Sequence, residues 1–141
     1  MRNGFASLLV LVAAFAVAGG AGASRNASAT RTCPARSIGP GALVRGNRTG
    51  AACMLHAYLH GCMSADYELS SFGVDTVATV RFRLLRRGGA CAIDVTRSFR
   101  VVPQKPHVSA GARCKAIRQT TAGIVATGCR GAGFAKTVSL S

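Results

Sequence analysis

His56 and His60 stand four residues apart, the spacing at which two imidazoles on one helical face can meet a single metal ion. A metalloprotease helix places glutamate directly after the first histidine to act as general base. Here that position is Ala57. The pair is therefore read first as two solvent-facing histidines, with a small metal-dependent hydrolase as the alternative. Cys53 and His56 have the residue types of a nucleophilic thiolate–imidazole pair, but an even set of cysteines in an exported chain is expected to be bridged. The chain holds no Gly-x-Ser-x-Gly elbow and no Ser-x-x-Lys, the short patterns that carry a serine nucleophile. Its four carboxylates are Asp66, Glu68, Asp75 and Asp94. Two of them across a cleft would suit glycoside chemistry, yet nothing in their spacing places such a pair, and Asp75 and Asp94 are expected on solvated strand faces. No enzyme activity and no cofactor are expected.

The arginines suggest a different chemistry. Arg81, Arg83, Arg86, Arg87 and Arg100 are the anion-binding candidates, with Arg97 in the same segment. The chain has 18 Lys and Arg against 4 Asp and Glu, a formal net charge of +14. Such a field draws anionic partners: nucleic acid, acidic wall polymers or anionic lipid. Phe82 and Phe99 fall on the inward parity of their strands, so stacking platforms for single-stranded nucleic acid are lacking. A polyanion or membrane surface fits better than specific nucleic-acid recognition. The basic residues are nearly all Arg, with Lys only at 105, 115 and 136. GC-rich coding gives the same bias, and net charge speaks to solubility and association rather than to fold.

Positions 1–23 read as a secretion signal. Arg2 supplies the positive start, Phe5 to Val17 an apolar run, and Ala21-Gly22-Ala23 the small residues before a cleavage at Ser24. The run softens at Gly19-Gly20, short of the roughly 20 apolar residues that span a bilayer. No cysteine lies near the cleavage point and no arginine pair precedes the run, so neither a lipid anchor nor a twin-arginine route is expected. The mature chain is Ser24–Ser141, with no transmembrane segment, a charge of +13 once Arg2 is gone, and room for one domain. Its six cysteines, Cys33, Cys53, Cys62, Cys91, Cys114 and Cys129, lack the close pairs of a zinc site. Three disulfides in an oxidising compartment follow. Asn26-Ala27-Ser28 and Asn47-Arg48-Thr49 match the glycosylation sequon.

The elements that must position these residues follow from periodicity. Residues 24–50 are expected as a flexible leader and a Gly/Pro-rich arm, mostly loop, and 51–141 as one α+β domain. A helix is expected over Ala51–Gly61, with Leu55, Tyr58, Leu59 and Cys62 as its apolar stripe and Gly61 ending it in a left-handed turn. Cys53 and Cys62 on that helix would lie roughly 13 Å apart, too far to bridge. From Val74 the period becomes two, and it resumes after Arg86-Arg87-Gly88-Gly89 through Cys91 to Val101. This is a hairpin. A two-residue loop at Arg87-Gly88 or at Gly88-Gly89 brings Phe82, Leu84, Ile93 and Phe99 to one buried face, with Arg97 on the wrong side. Pro103 and Pro106 end the second strand. Two more strands, about 110–118 and 123–129, turn near Thr121-Ala122 and set Cys114 opposite Cys129. That pair is the first disulfide expected. Cys53 or Cys62 then goes to Cys91, and Cys33 takes the other.

The expected fold is α+β: one short helix on an antiparallel sheet of four or five strands, with Tyr67 to Phe72 as a possible further strand. Helix followed by meander resembles cystatin-like and NTF2-like rolls in architecture, which transfers no function. Composition and the stretch Phe72 to Val80 are similar to small exported cysteine-containing proteins of high-GC bacteria, a resemblance that implies no activity. The leading expectation is a secreted, disulfide-bonded basic binding module for an anionic extracellular or cell-surface partner. A secreted protease inhibitor presenting the loop Pro103 to Ser109 is the remaining alternative.

Overall fold

Alternation builds the largest element of the molecule. The computed structural model describes residues 29–39, 44–45 and 49–141. The expected secretion signal, its cleavage point and the asparagines of both sequons lie outside the described residues. The hairpin is formed by β5 (Thr76–Arg87) and β6 (Ala90–Val101). Arg87 pairs with Ala90, so Gly88-Gly89 is the two-residue loop. Both glycines have positive φ, 56° and 84°, as a type I′ turn requires. On the inner face Phe82 lies opposite Val95 and Leu84 opposite Ile93, and all four are fully buried. Phe99 is only half-buried, a correction: it sits opposite Ala78, beyond the part of the sheet that the core covers.

Tyr67 to Phe72 is indeed a strand, within β4 (Ala65–Phe72), and it runs antiparallel to β5. The arm expected as loop instead supplies the neighbour on β4's other side. Here β1 (Arg31–Thr32) and β2 (Arg36–Ile38) both pair parallel with β4, and β3 (Val44–Arg45) pairs with β2. Arg31 faces Ala65 and Arg36 faces Leu69, so five steps of one chain match four of the other, the count of a bulge. Pro34 lies in that bulge, where its missing N–H costs no ladder bond. β7 (His107–Cys114) completes the large sheet on the far side of β6. Among the described residues the order is β3-β2-β4-β5-β6-β7, seven strands with β1, where four or five antiparallel ones were expected.

The chain leaves this sheet at Lys115 and enters a smaller one. β8 (Ala116–Thr120), β9 (Gly123–Thr127) and β10 (Thr137–Ser139) form it in the order β10-β9-β8. Thr120 pairs with Gly123 across Thr121-Ala122, and the same register runs on to the bridge between Arg113 and Arg130. Cys114 and Cys129 are thus placed opposite one another as expected, and they form a disulfide. The other two are Cys62–Cys91 and Cys33–Cys53. The single strand expected over 110–118 is therefore two, one in each sheet.

The helix α1 (Thr49–Leu59) covers the inner face of the large sheet beside the small sheet. Its buried residues are Gly50, Ala51, Met54 and Ala57, not the expected stripe. Leu59 is 66% exposed. Small side chains decide this orientation: a Cβ on Gly50 would collide with the Pro34 carbonyl and the Tyr67 ring, so the helix rests directly on them. The Cys33–Cys53 bridge holds it there. Gly61 has φ 83° and ends the helix in the left-handed region, as expected, followed by Cys62 at φ 59°. Among the described residues no helix is long and apolar enough to cross a membrane.

Tyr67 joins the layers. Its ring packs by Phe82, and its hydroxyl donates to the Leu140 carbonyl at 2.9 Å. Burial raises its phenol above the ordinary 10.0, and the nearby Arg36 charge offsets part of that.

Candidate anion-binding face

Helix and small sheet leave the other face of the large sheet uncovered, and period two loads it with polar residues. Register arranges them in rows. Asp66, Arg83, Asp94 and Arg113 form one row across β4 to β7. Glu68, Arg81 and Thr96 form the next, then Ser70, Thr79 and Ser98, then Phe72, Val77 and Arg100.

Charges in the first row are spent on one another. Asp66 accepts from Arg81 at 3.3 Å and Arg83 at 3.2 Å. Asp94 accepts from Arg87 and Arg113, each at 3.0 Å. Asp94 is therefore not the solvated carboxylate expected from its strand face. Like charges would repel if left in a row; here each aspartate separates two guanidinium groups. With their arginines about half-exposed, such pairs stabilise by no more than about 1 kcal/mol each. Their effect is on the field, since three of the five candidate arginines arrive already paired.

The other two part company. Arg86 lies opposite Cys91, on the helix side of the sheet, beside Tyr58, Leu59 and the Cys62–Cys91 bridge. Arg100 is on the open face and forms no ion pair among the described residues. Arg97, on the wrong face by parity, stacks 4.8 Å over Phe134 and donates to the Gly133 carbonyl at 3.3 Å. It secures the C-terminal segment that wraps the β7 edge.

Sequence reasoning missed three contributors. Glu68 and Phe72 lie on β4, whose partner strand periodicity alone did not identify. Arg130 is cross-strand to Arg113, so it extends the first row. An isolated Arg after a cysteine carries no signal of this.

His56 and His60 stack on the helix surface with ring centroids 3.8 Å apart, and His60 Nδ1 lies 2.9 Å from the His56 carbonyl. If Nδ1 donates there, Nε2 keeps the lone pair. The described residues bring no third His, Cys, Asp or Glu to this pair. The loop proposed for protease inhibition is shorter than expected, because His107 to Ser109 belong to β7. Ser109 is the extra residue where the β6–β7 register shifts, and its hydroxyl donates to the Arg97 carbonyl.

Comparison of the chain with protein-family models, curated proteins and solved structures gives no match.

Proposed function

We infer that this chain is an exported, disulfide-bonded basic module that binds an anionic extracellular or cell-surface polymer. The observation that carries the reading is uneven charge compensation. All four acids lie between Asp66 and Asp94, and two of them hold four arginines. From Val95 to Ser141 there are eight Lys and Arg and no acid. Lys115, Arg118, Arg130 and Lys136 are all exposed there. A concentrated field of one sign attracts polyanions and releases their counterions. Three disulfides suit an oxidising compartment, and positions 1–23 supply the address.

Retention on heparin or an anionic wall polymer tests this. The mature protein is expected to stay bound beyond an ionic strength of about 0.15 M; elution at or below it overturns the reading. Lys115→Gln with Arg118→Gln should elute clearly earlier than the parent. Arg81→Gln with Arg83→Gln should shift less, because Asp66 already neutralises part of that charge.

A further inference from the structure

Among the described residues, a hollow on the open face holds an acid and an arginine that form no ion pair. It is lined by Glu68, Ser70 and Phe72 from β4, Val77 and Thr79 from β5, Ser98 and Arg100 from β6, and Pro106 from the following loop, around a volume of about 280 Å³. We propose that this hollow binds an oligosaccharide carrying carboxylates, with Phe72 as the platform for a sugar ring and Arg100 as the carboxylate's partner. The proposal rests on the anionic-polymer reading above and names the polymer's class.

Four observations converge on it. First, neither Glu68 nor Arg100 has an ion pair among the described residues, while Asp66 and Asp94 on the same face hold two arginines each. Arg81 stands directly across from Glu68, yet its Nε turns to Asp66. Second, the floor is a row of hydroxyls. Ser70 and Thr79 lie 3.0 Å apart, Ser70 also donates to Glu68 at 3.4 Å, and Ser98 continues the row. Hydroxyls donate and accept, which matches a ligand that is itself covered with hydroxyls. Third, Phe72 is a 40% exposed aromatic beside the hydroxyl row. Its ring offers the apolar surface that the C–H side of a sugar needs, and such contacts exceed simple area burial. Fourth, strand spacings put the Cα atoms of Glu68 and Arg100 roughly 16 Å apart, so a lone small ion cannot engage both. A carboxylate meets Arg100 as a planar, bidentate partner, and Glu68 accepts from sugar hydroxyls.

Competing ligands fit the hollow less well. An acyl chain needs an apolar floor, and here the hydroxyls of Ser70, Thr79 and Ser98 interrupt the apolar surface of Phe72, Val77 and Pro106. Single-stranded nucleic acid needs a track of cations with several stacking rings, and here there is one ring and one cation.

The test is calorimetric titration of the oxidised mature protein with three probes: an oligogalacturonate, polyphosphate of matched charge, and a neutral dextran oligosaccharide. The oligogalacturonate is expected to bind more tightly than polyphosphate, and dextran least. Phe72→Ala should weaken oligogalacturonate binding about tenfold, the size of a lost aromatic contact, and leave polyphosphate within about twofold. Phe72→Tyr should keep most of the affinity, and an unchanged thermal midpoint would show that the fold is intact. If Phe72→Ala weakens both ligands equally, or neither, the saccharide site is overturned while the polyanion reading stands. If neither oligogalacturonate nor polyphosphate binds the parent protein, both readings fall.

Discussion

The two ends of the open sheet face have similar residues and opposite arrangements. At the Asp66 end, acids and arginines alternate across β4, β5, β6 and β7 and pair at 3.0–3.3 Å. At the Phe72 end, Glu68 and Arg100 flank a hydroxyl floor and form no ion pair among the described residues. At the paired end each aspartate takes an arginine directly opposite it, Arg83 or Arg113, and a second from further along β5. Glu68 instead loses its opposite neighbour Arg81 to Asp66, and Arg100 lies opposite Val77. Charge at the paired end organises strands. Charge at the unpaired end stays available to a ligand. Counting arginines does not distinguish the two; register does.

The largest test of this contrast removes a staple from the paired end. Cys114→Ser with Cys129→Ser releases a bridge spanning 15 residues, worth about 3 kcal/mol in the chain-entropy model. The urea midpoint should fall accordingly. Arg113 and Arg130 stand beside this bridge on paired backbone, so the Asp94 end should loosen first. Amide exchange should rise in β7 before it rises in β4. Equal exchange in both strands would show that the ends are not separable.

Tyr67→Phe comes next, acting beneath both ends. The lost hydroxyl leaves the Leu140 carbonyl, 2.9 Å away, without its partner, at a cost of roughly 1–2 kcal/mol. The pH dependence carries a definite sign. Burial places the folded phenol above its ordinary 10.0, so the unfolded chain ionises first. The stability contributed by Tyr67 is full below pH 10 and is lost as pH rises through the folded value. Unfolding followed across pH 9 to 12 should show less alkaline loss in Tyr67→Phe than in the parent; parallel curves would contradict the assignment.

How much of this was legible in the residues follows from what each signal measures. Alternation with Gly88-Gly89 between its arms specifies the β5–β6 hairpin, because both glycines suit positive φ and both apolar faces agree in parity. Parity about Thr121-Ala122 likewise sets Cys114 opposite Cys129. The β1–β2 edge was not legible. Its pieces are two and three residues long, too short for any period, and they are held by a parallel partner and the Cys33–Cys53 bridge. The helix face was misread because large residues dominate a hydrophobicity pattern. Close approach to Tyr67 selected Gly50, and the buried face that follows from it carries Ala51, Met54 and Ala57. At the site, Arg81 and Arg100 look alike in sequence. Only the pairing of β4 with β5 puts Asp66 within reach of one and a row of hydroxyls beside the other.

The smallest expected effect is the most discriminating. Asp94→Asn keeps the shape of the carboxylate and removes its charge, leaving Arg87 and Arg113 without their acid. Stability should drop by no more than about 1 kcal/mol, since both arginines are well exposed. Retention on heparin should move the other way, to higher salt, because a face on which two aspartates hold four arginines gains one more net positive charge. Oligogalacturonate affinity at the Phe72 end should be nearly unchanged, as Asp94 lies outside that hollow and salt screens charges beyond roughly 8–10 Å. A matching gain in oligogalacturonate affinity would mean that the two ends act as one field, and the contrast between paired and unpaired charge would then fail.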